Sequence, residues 1–157
     1  MNFEKVIIQS GSNLGNREAF LREALQSFLS QKEVRGLKAS SIYETEPWGN
    51  PDQPYFLNQV FCFDYSESPE FLLSVIKKIE AANGRVRDGN RNMPRTLDLD
   101  ILSFGNRLIR TPELEVPHPR LHLRAFVLEP LSEIAPEYLH PLLKLTPSEM
   151  LAHLKKS

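Results

Sequence analysis

Arg91-Asn92-Met93-Pro94-Arg95-Thr96-Leu97-Asp98-Leu99-Asp100-Ile101-Leu102-Ser103-Phe104 is the most organised stretch of this chain. A basic, proline-stiffened loop runs into a segment of strict alternation, and an extended chain sends successive side chains to opposite faces. Leu97, Leu99 and Ile101 therefore share one face, and Thr96, Asp98 and Asp100 the other. The pattern predicts a strand with one buried face and two carboxylates about 7 Å apart on the opposite one.

Immediately upstream, residues 85–95 hold four arginines (Arg85, Arg87, Arg91, Arg95) against one acid, Asp88, a local charge of +3 in a chain whose total is -1. Two readings are open: an ordinary half-exposed strand beside a solvated loop, or a cation site with an anion above it. In the second, oxygen ligands without nearby histidine or cysteine suit a hard ion such as Mg²⁺ rather than zinc. Such an ion usually completes its shell with substrate phosphates, and guanidinium forks match phosphate oxygens.

Further out, the chain alternates strand and helix signals. Val6 to Ser10 reads as a strand and Gly11-Ser12-Asn13-Leu14-Gly15-Asn16 as a turn cluster. This glycine-rich turn lacks the lysine and Ser/Thr of a P-loop, so it is read as a tight turn rather than a phosphate cradle. Asn16 is a candidate N-cap for a helix marked by Phe20, Leu21, Ala24, Leu25, Phe28 and Leu29. Leu37 to Thr45 and Phe56 to Tyr65 are strand-like, separated by a stiff ten-residue loop with three prolines and the sole tryptophan, Trp48. Ser68-Pro69 starts a second helix that should stop near Asn83-Gly84. After the Asp strand, Gly105-Asn106 turns the chain into a short strand around Leu108-Ile109.

That order, β-α-β-β-α-β, is the split pattern of ferredoxin-like folds and predicts an antiparallel sheet with helices on one face. The fold class is thus α+β, with a C-terminal extension of a short strand and short helices. One helix is expected near Arg120 to Leu131 and another from Thr146, where Thr146-Pro147-Ser148-Glu149 forms a capping box. Within the extension, Val116-Pro117-His118-Pro119-Arg120 fixes a histidine between two prolines. His122, His140 and His153 show no metal-ligand spacing and are expected on the surface.

Length and composition bound the rest. A chain of 157 residues, 41% apolar and 25% charged, suits one domain, 1–157. No apolar run approaches the ~20 residues of a membrane span, and the start lacks the plan of a secretory signal. The single cysteine, Cys62, excludes an internal disulfide and reads as packing in a cytoplasmic protein. Balanced charge argues against nucleic-acid binding.

Beyond the Pro94-Arg95-Thr96-Leu97-Asp98-Leu99-Asp100-Ile101-Leu102 segment, several others are shared, in order, with one family. They are Gly11-Ser12-Asn13-Leu14-Gly15, Tyr43-x-Thr45-x-Pro47-x-Gly49, Asp52-Gln53-Pro54 with Phe56-x-Asn58, Glu80, Gly84-Arg85-x-Arg87, Val116 to Arg120, and Arg124-Ala125-Phe126-Val127-Leu128. Together they resemble the 6-hydroxymethyl-7,8-dihydropterin pyrophosphokinase family over nearly the whole chain. The resemblance implies transfer of pyrophosphate from ATP to the hydroxymethyl group of the reduced pterin, with release of AMP, in folate biosynthesis.

It also implies two Mg²⁺ ions held by Asp98 and Asp100, with Arg85 and Arg95 on the phosphates. Glu80, Arg87, Arg95, Ile101, His118 and Arg124 would line the ATP site, and Thr45, Trp48, Phe56, Asn58 and Phe126 the pterin site. The loop departs from the family pattern at Asn92-Met93, where an aromatic and a small residue are common. The expected partners are ATP and the pterin, with no nucleic acid and no membrane, and a monomer is expected over a dimer. Two competing readings are a nucleotide- or RNA-binding module without catalysis and a γ-phosphate kinase of a small alcohol.

Overall fold

A computed structural model describes residues 2–46, 52–84 and 96–155. Its strands are β1 (Glu4–Ser12), β2 (Val34–Ala39), β3 (Tyr43–Thr45), β4 (Phe56–Tyr65), β5 (Asp98–Phe104), β6 (Ile109–Arg110) and β7 (Glu115–Val116). The helices are α1 (Arg17–Leu29), α2 (Pro69–Ala82), α3 (Ala125–Ile134) and α4 (Pro147–Lys155), with a 3-10 turn at Leu121–Leu123. The main sheet is antiparallel in the order β2-β4-β1-β5, with β3 also paired to β4, and β6 and β7 form a separate ribbon. This is the ferredoxin-like arrangement that the element order predicted.

The helix ends follow their local chemistry. The Asn16 side chain accepts from Ala19 N–H and the Ser68 hydroxyl from Phe71 N–H, each satisfying a donor that the first turn leaves unpaired. At α4 the capping box forms in both directions, Thr146 N–H to Glu149 at 2.9 Å and Glu149 N–H to Thr146 at 3.3 Å. Gly84, at φ +81, takes the left-handed turn that ends α2.

Each face of the sheet has its own apolar cluster. Leu21, Ala24 and Phe28 of α1 and Leu72, Ile76 and Ile79 of α2 pack on Val6, Ile8, Phe61, Phe63, Leu99 and Ile101. Phe28 sits 5.3 and 5.4 Å from the ring centres of Phe61 and Phe63. On the other face, Ile7, Val60, Cys62 and Leu102 meet Leu121, Val127, Leu128 and Leu131, with Met150 of α4. The C-terminal extension therefore covers the face that α1 and α2 leave bare. Its apolar cover ends at Val60 on β4, and the next position on that face, Asn58, is polar.

Three local expectations are corrected. Gly11 and Ser12 belong to β1 rather than to a turn, because β4 pairs with β1 as far as Ser12↔Leu57. The segment read as one strand from Leu37 is two, broken at Ser40, which takes over the pairing there. Ser40 N–H donates to Val60 C=O at 2.8 Å, and its hydroxyl accepts from Val60 N–H at 3.0 Å. His140 is buried rather than superficial. Its Nδ1 accepts from the backbone N–H groups of Leu142 and Leu143 at 3.2 and 3.1 Å, so it serves as a turn anchor. Among the described residues, no helix is long and apolar enough to cross a membrane.

Candidate active site

Strand register places the polar residues. Gly11 on β1 pairs with Asp98 of β5 on one side and with Asn58 of β4 on the other. Directly paired residues of an antiparallel sheet point to the same face, so Asp98, Gly11 and Asn58 form one row across the sheet, which Tyr43 of β3 extends. One step along the strands, Asp100, Gln9 and Val60 form the next row. Two strand spacings, about 10 Å, separate the carboxylate end of the first row from its amide end.

Between them Gly11 leaves a gap. A Cβ there would lie 3.3 Å from Asn58 Oδ1, 3.7 Å from the Leu57 carbonyl and 3.8 Å from the Phe56 ring. Leu97, Leu99 and Ile101 pack toward α1 and α2, which leaves Asp98 and Asp100 on the opposite face, each partly exposed. Among the described residues no cluster of three or more His, Cys, Asp or Glu side chains could enclose a metal. The donor set is a carboxylate pair, which fits a hard ion that takes its remaining ligands from water and substrate.

His118 is held by its backbone N–H, which donates to Leu102 C=O at 2.8 Å on the outer edge of β5. Its Nδ1 accepts from Arg120 N–H at 3.1 Å, so the proton of the neutral ring sits on Nε2. Burial, then the charges of Arg124 and Arg120, push its pKa down to about 4 against a smaller opposing pull from Asp98. Burial also lowers the pKa of Arg124, with Asp100 and Asp98 opposing. These long-range couplings tie His118 and Arg124 to the carboxylates electrostatically. The Arg124 guanidinium lies 5.6 Å from the Phe126 ring centre, within cation–π range.

At the other end of the row, Asn58 Nδ2 donates to Thr45 Oγ1 at 2.7 Å, while Phe56 is half-buried. The segment before β4 is tied down by Asn13, whose amide donates to Gln53 Oε1 at 3.0 Å and to Pro54 C=O at 3.2 Å. The glycine-rich turn thus works as a clamp on the neighbouring loop.

The structure brings Asp98, Asp100 and Arg124 into one charged group with the neutral His118 beside it, and Thr45 and Asn58 into one hydrogen-bonded group. Glu80, 1% exposed at the end of α2, accepts from Leu99 N–H at 2.9 Å, and so grips β5 between the two aspartates. Ile101 turns its side chain to the helix core, so only its backbone remains for a ligand on the carboxylate face. Trp48, Arg85, Arg87, Arg95 and the Asn92-Met93 pair lie outside the described residues. Sequence reasoning did not place Gly11 between Asp98 and Asn58 and missed Gln9 altogether. A polar residue directly after the apolar Val6-Ile7-Ile8 run was the one available signal. Two surface hollows of about 350 and 640 Å³ contain none of the residues expected in a site.

Residues 7–136 match the model of the family described as 7,8-dihydro-6-hydroxymethylpterin-pyrophosphokinase (HPPK). The chain belongs to the HPPK family. It is 43% identical over 134 residues to the 2-amino-4-hydroxy-6-hydroxymethyldihydropteridine pyrophosphokinase of Pseudomonas aeruginosa, covering 85% of this chain and 82% of that one. The Bacillus subtilis protein of the same name is 47% identical over 127 residues, 81% of this chain and 75% of its own length.

The folic acid synthesis protein fol1 of Pneumocystis carinii is 42% identical over 138 residues, yet the match spans only 18% of that longer protein. In fold, the chain superposes on Plasmodium falciparum HPPK-DHPS with pteroate at a TM-score of 0.74 and 16% identity, covering 97% of this chain and 42% of that one. HPPK enzymes are ATP-dependent pyrophosphokinases of folate biosynthesis.

Proposed function

We propose that this chain, as one 157-residue catalytic domain, transfers the β,γ-pyrophosphoryl group of Mg-ATP to the hydroxymethyl oxygen of 6-hydroxymethyl-7,8-dihydropterin and releases AMP. The observation that supports this is the row Asp98–Gly11–Asn58, which sets a carboxylate and a side-chain amide on one sheet face with only the Gly11 backbone between them.

In this reading Thr45 and Asn58 hold the pterin edge, and Phe56 and Phe126, with Trp48, cover its faces. Asp98 and Asp100 would hold two Mg²⁺ ions, which would offset the negative charge of the ATP phosphates. Of the two carboxylates, Asp98 is the nearer to a hydroxymethyl group carried by a ring at Asn58, because it shares the Asn58 row. The hydroxymethyl oxygen forms a bond to the β-phosphorus as the bond from that phosphorus to the α-phosphate oxygen breaks. The bonding pair leaves on AMP, and the hydroxyl proton passes by Asp98 to solvent. The metal supplies charge neutralisation and alignment, which dominate this class of transfer.

Around that centre, Arg85, Arg95 and Arg87 neutralise phosphate oxygens. His118, neutral and protonated on Nε2, donates a hydrogen bond without adding a further positive charge beside Arg124 and Arg120. Glu80 and Ile101 contribute to the ATP site from β5 and its support.

Incubation with Mg-ATP and 6-hydroxymethyl-7,8-dihydropterin, followed by identification of the released nucleotide, tests the reading. AMP is expected. ADP would make the protein a γ-phosphate kinase, and binding without turnover would leave a binding module.

A further inference from the structure

Gln9 lies on the site face of β1, in register with Asp100 of β5 and Val60 of β4. It is 6% exposed. Its Nε2 donates a long hydrogen bond, 3.4 Å, to Asn58 Oδ1, and Asn58 Nδ2 in turn donates to Thr45 Oγ1 at 2.7 Å. The Oε1 of Gln9 is buried and has no hydrogen-bond partner among the described residues. An amide oxygen left so works against folding, and a methionine of similar length would fill the same space without that cost. What the amide adds is its N–H toward Asn58.

That N–H has a directional consequence. An amide donates at one end and accepts at the other, so the chain Gln9, Asn58, Thr45 can run either way. With Gln9 donating, Asn58 must donate to Thr45, and the Thr45 hydroxyl keeps its own proton for a ligand. Run in reverse, that proton would be used on Asn58, and Thr45 would face a ligand as an acceptor only. The two directions therefore present opposite patterns to the edge of a pterin.

We propose that Gln9 is a positioning residue for the pterin, fixing the direction of the Gln9–Asn58–Thr45 chain and with it the hydrogen-bonding pattern that Asn58 and Thr45 turn to the substrate. This rests on the reading that Asn58 and Thr45 bind the pterin ring. It assigns specificity to a side chain buried beneath the site.

The test uses the full chain with Gln9→Met, Asn58→Ala and the double variant. Dihydropterin Kd is measured with Mg²⁺ and a non-hydrolysable ATP analogue, and the Kd of the analogue is measured alone. Gln9→Met should weaken dihydropterin binding about five- to tenfold, the effect of one neutral hydrogen bond. Analogue affinity should change by less than about twofold, and Tm should hold or rise as the orphaned oxygen is removed. In the Asn58→Ala background Gln9→Met should add almost nothing, because its effect passes through Asn58.

A pterin Kd equal to that of the parent, an equal loss for the ATP analogue, or full additivity with Asn58→Ala would overturn the proposal. The Asn58 side-chain amide resonances of ligand-free protein report the contact separately, and must shift in Gln9→Met. If they shift while the parent binds no dihydropterin, the contact stands, and both the functional reading and the pterin role of Gln9 fall. If they do not shift, the positioning role alone falls.

Discussion

Gly11→Ala offers a sharp perturbation, because it separates folding from function at one atom. Gly11 is not among the glycines with positive φ, so its backbone accepts an alanine. Loss of glycine freedom in the unfolded chain favours the variant by ~0.4–1 kcal/mol. Against this stands the contact of the new Cβ with Asn58 Oδ1 at 3.3 Å, which requires the amide to yield by a few tenths of an ångström. The two effects are similar in size, and at ~2–4 °C per kcal/mol for a chain of this length Tm should move by no more than about 4 °C. Catalysis should respond quite differently. A methyl group on the floor between Asp98 and Asn58 lifts anything lying there by on the order of 1 Å, and misplacement of that size costs about 10²-fold in rate. AMP release measured beside a thermal melt decides the matter, with Gly11→Val as a steeper version. A Gly11→Ala protein that keeps kcat/KM within about threefold of the parent would refute the floor assignment.

Asp98→Ala and Asp100→Ala should each abolish AMP release at saturating Mg²⁺ while Tm holds or rises, since paired functional carboxylates often work against stability; substantial residual turnover would remove the metal role. Arg85→Ala and Arg95→Ala should lower kcat more than ATP affinity, as expected of groups that meet the phosphates mainly in the reacting state; an unchanged kcat with weakened binding would assign them to the ground state. For His118, the folded pKa of about 4 lies below the ordinary value of 6.5, so the unfolded chain binds a proton that the folded one refuses between those limits. The stability from keeping the ring neutral is complete above pH 6.5 and is lost as pH falls toward 4, up to about 3 kcal/mol. His118→Gln should flatten the pH dependence of denaturant midpoints over that window, and an unaltered slope would show that His118 does not titrate there.

The chain reveals through local periodicity whatever depends on neighbours a few residues apart. Alternation from Thr96 to Ile101 put Asp98 and Asp100 on one face, the spacing from Phe20 to Leu29 gave α1, and Asn16, Ser68 and Thr146 marked helix starts by the bonds their side chains make. The ordered segments shared with the HPPK family carried the rest of the functional reading. Tertiary structure alone decided which residues meet across strands, because register joins positions far apart in sequence. Gln9 and Asn58 are 49 residues apart, and nothing local shows that Gly11 stands between Asn58 and Asp98. Ser40 breaking an edge strand, His140 buried beneath its turn, and Glu80 gripping Leu99 from another element all depend on partners that no short window contains. The C-terminal helices follow the same logic, since their apolar stripes announce burial, but only packing shows that they cover the second face of the sheet and stop where its polar rows begin.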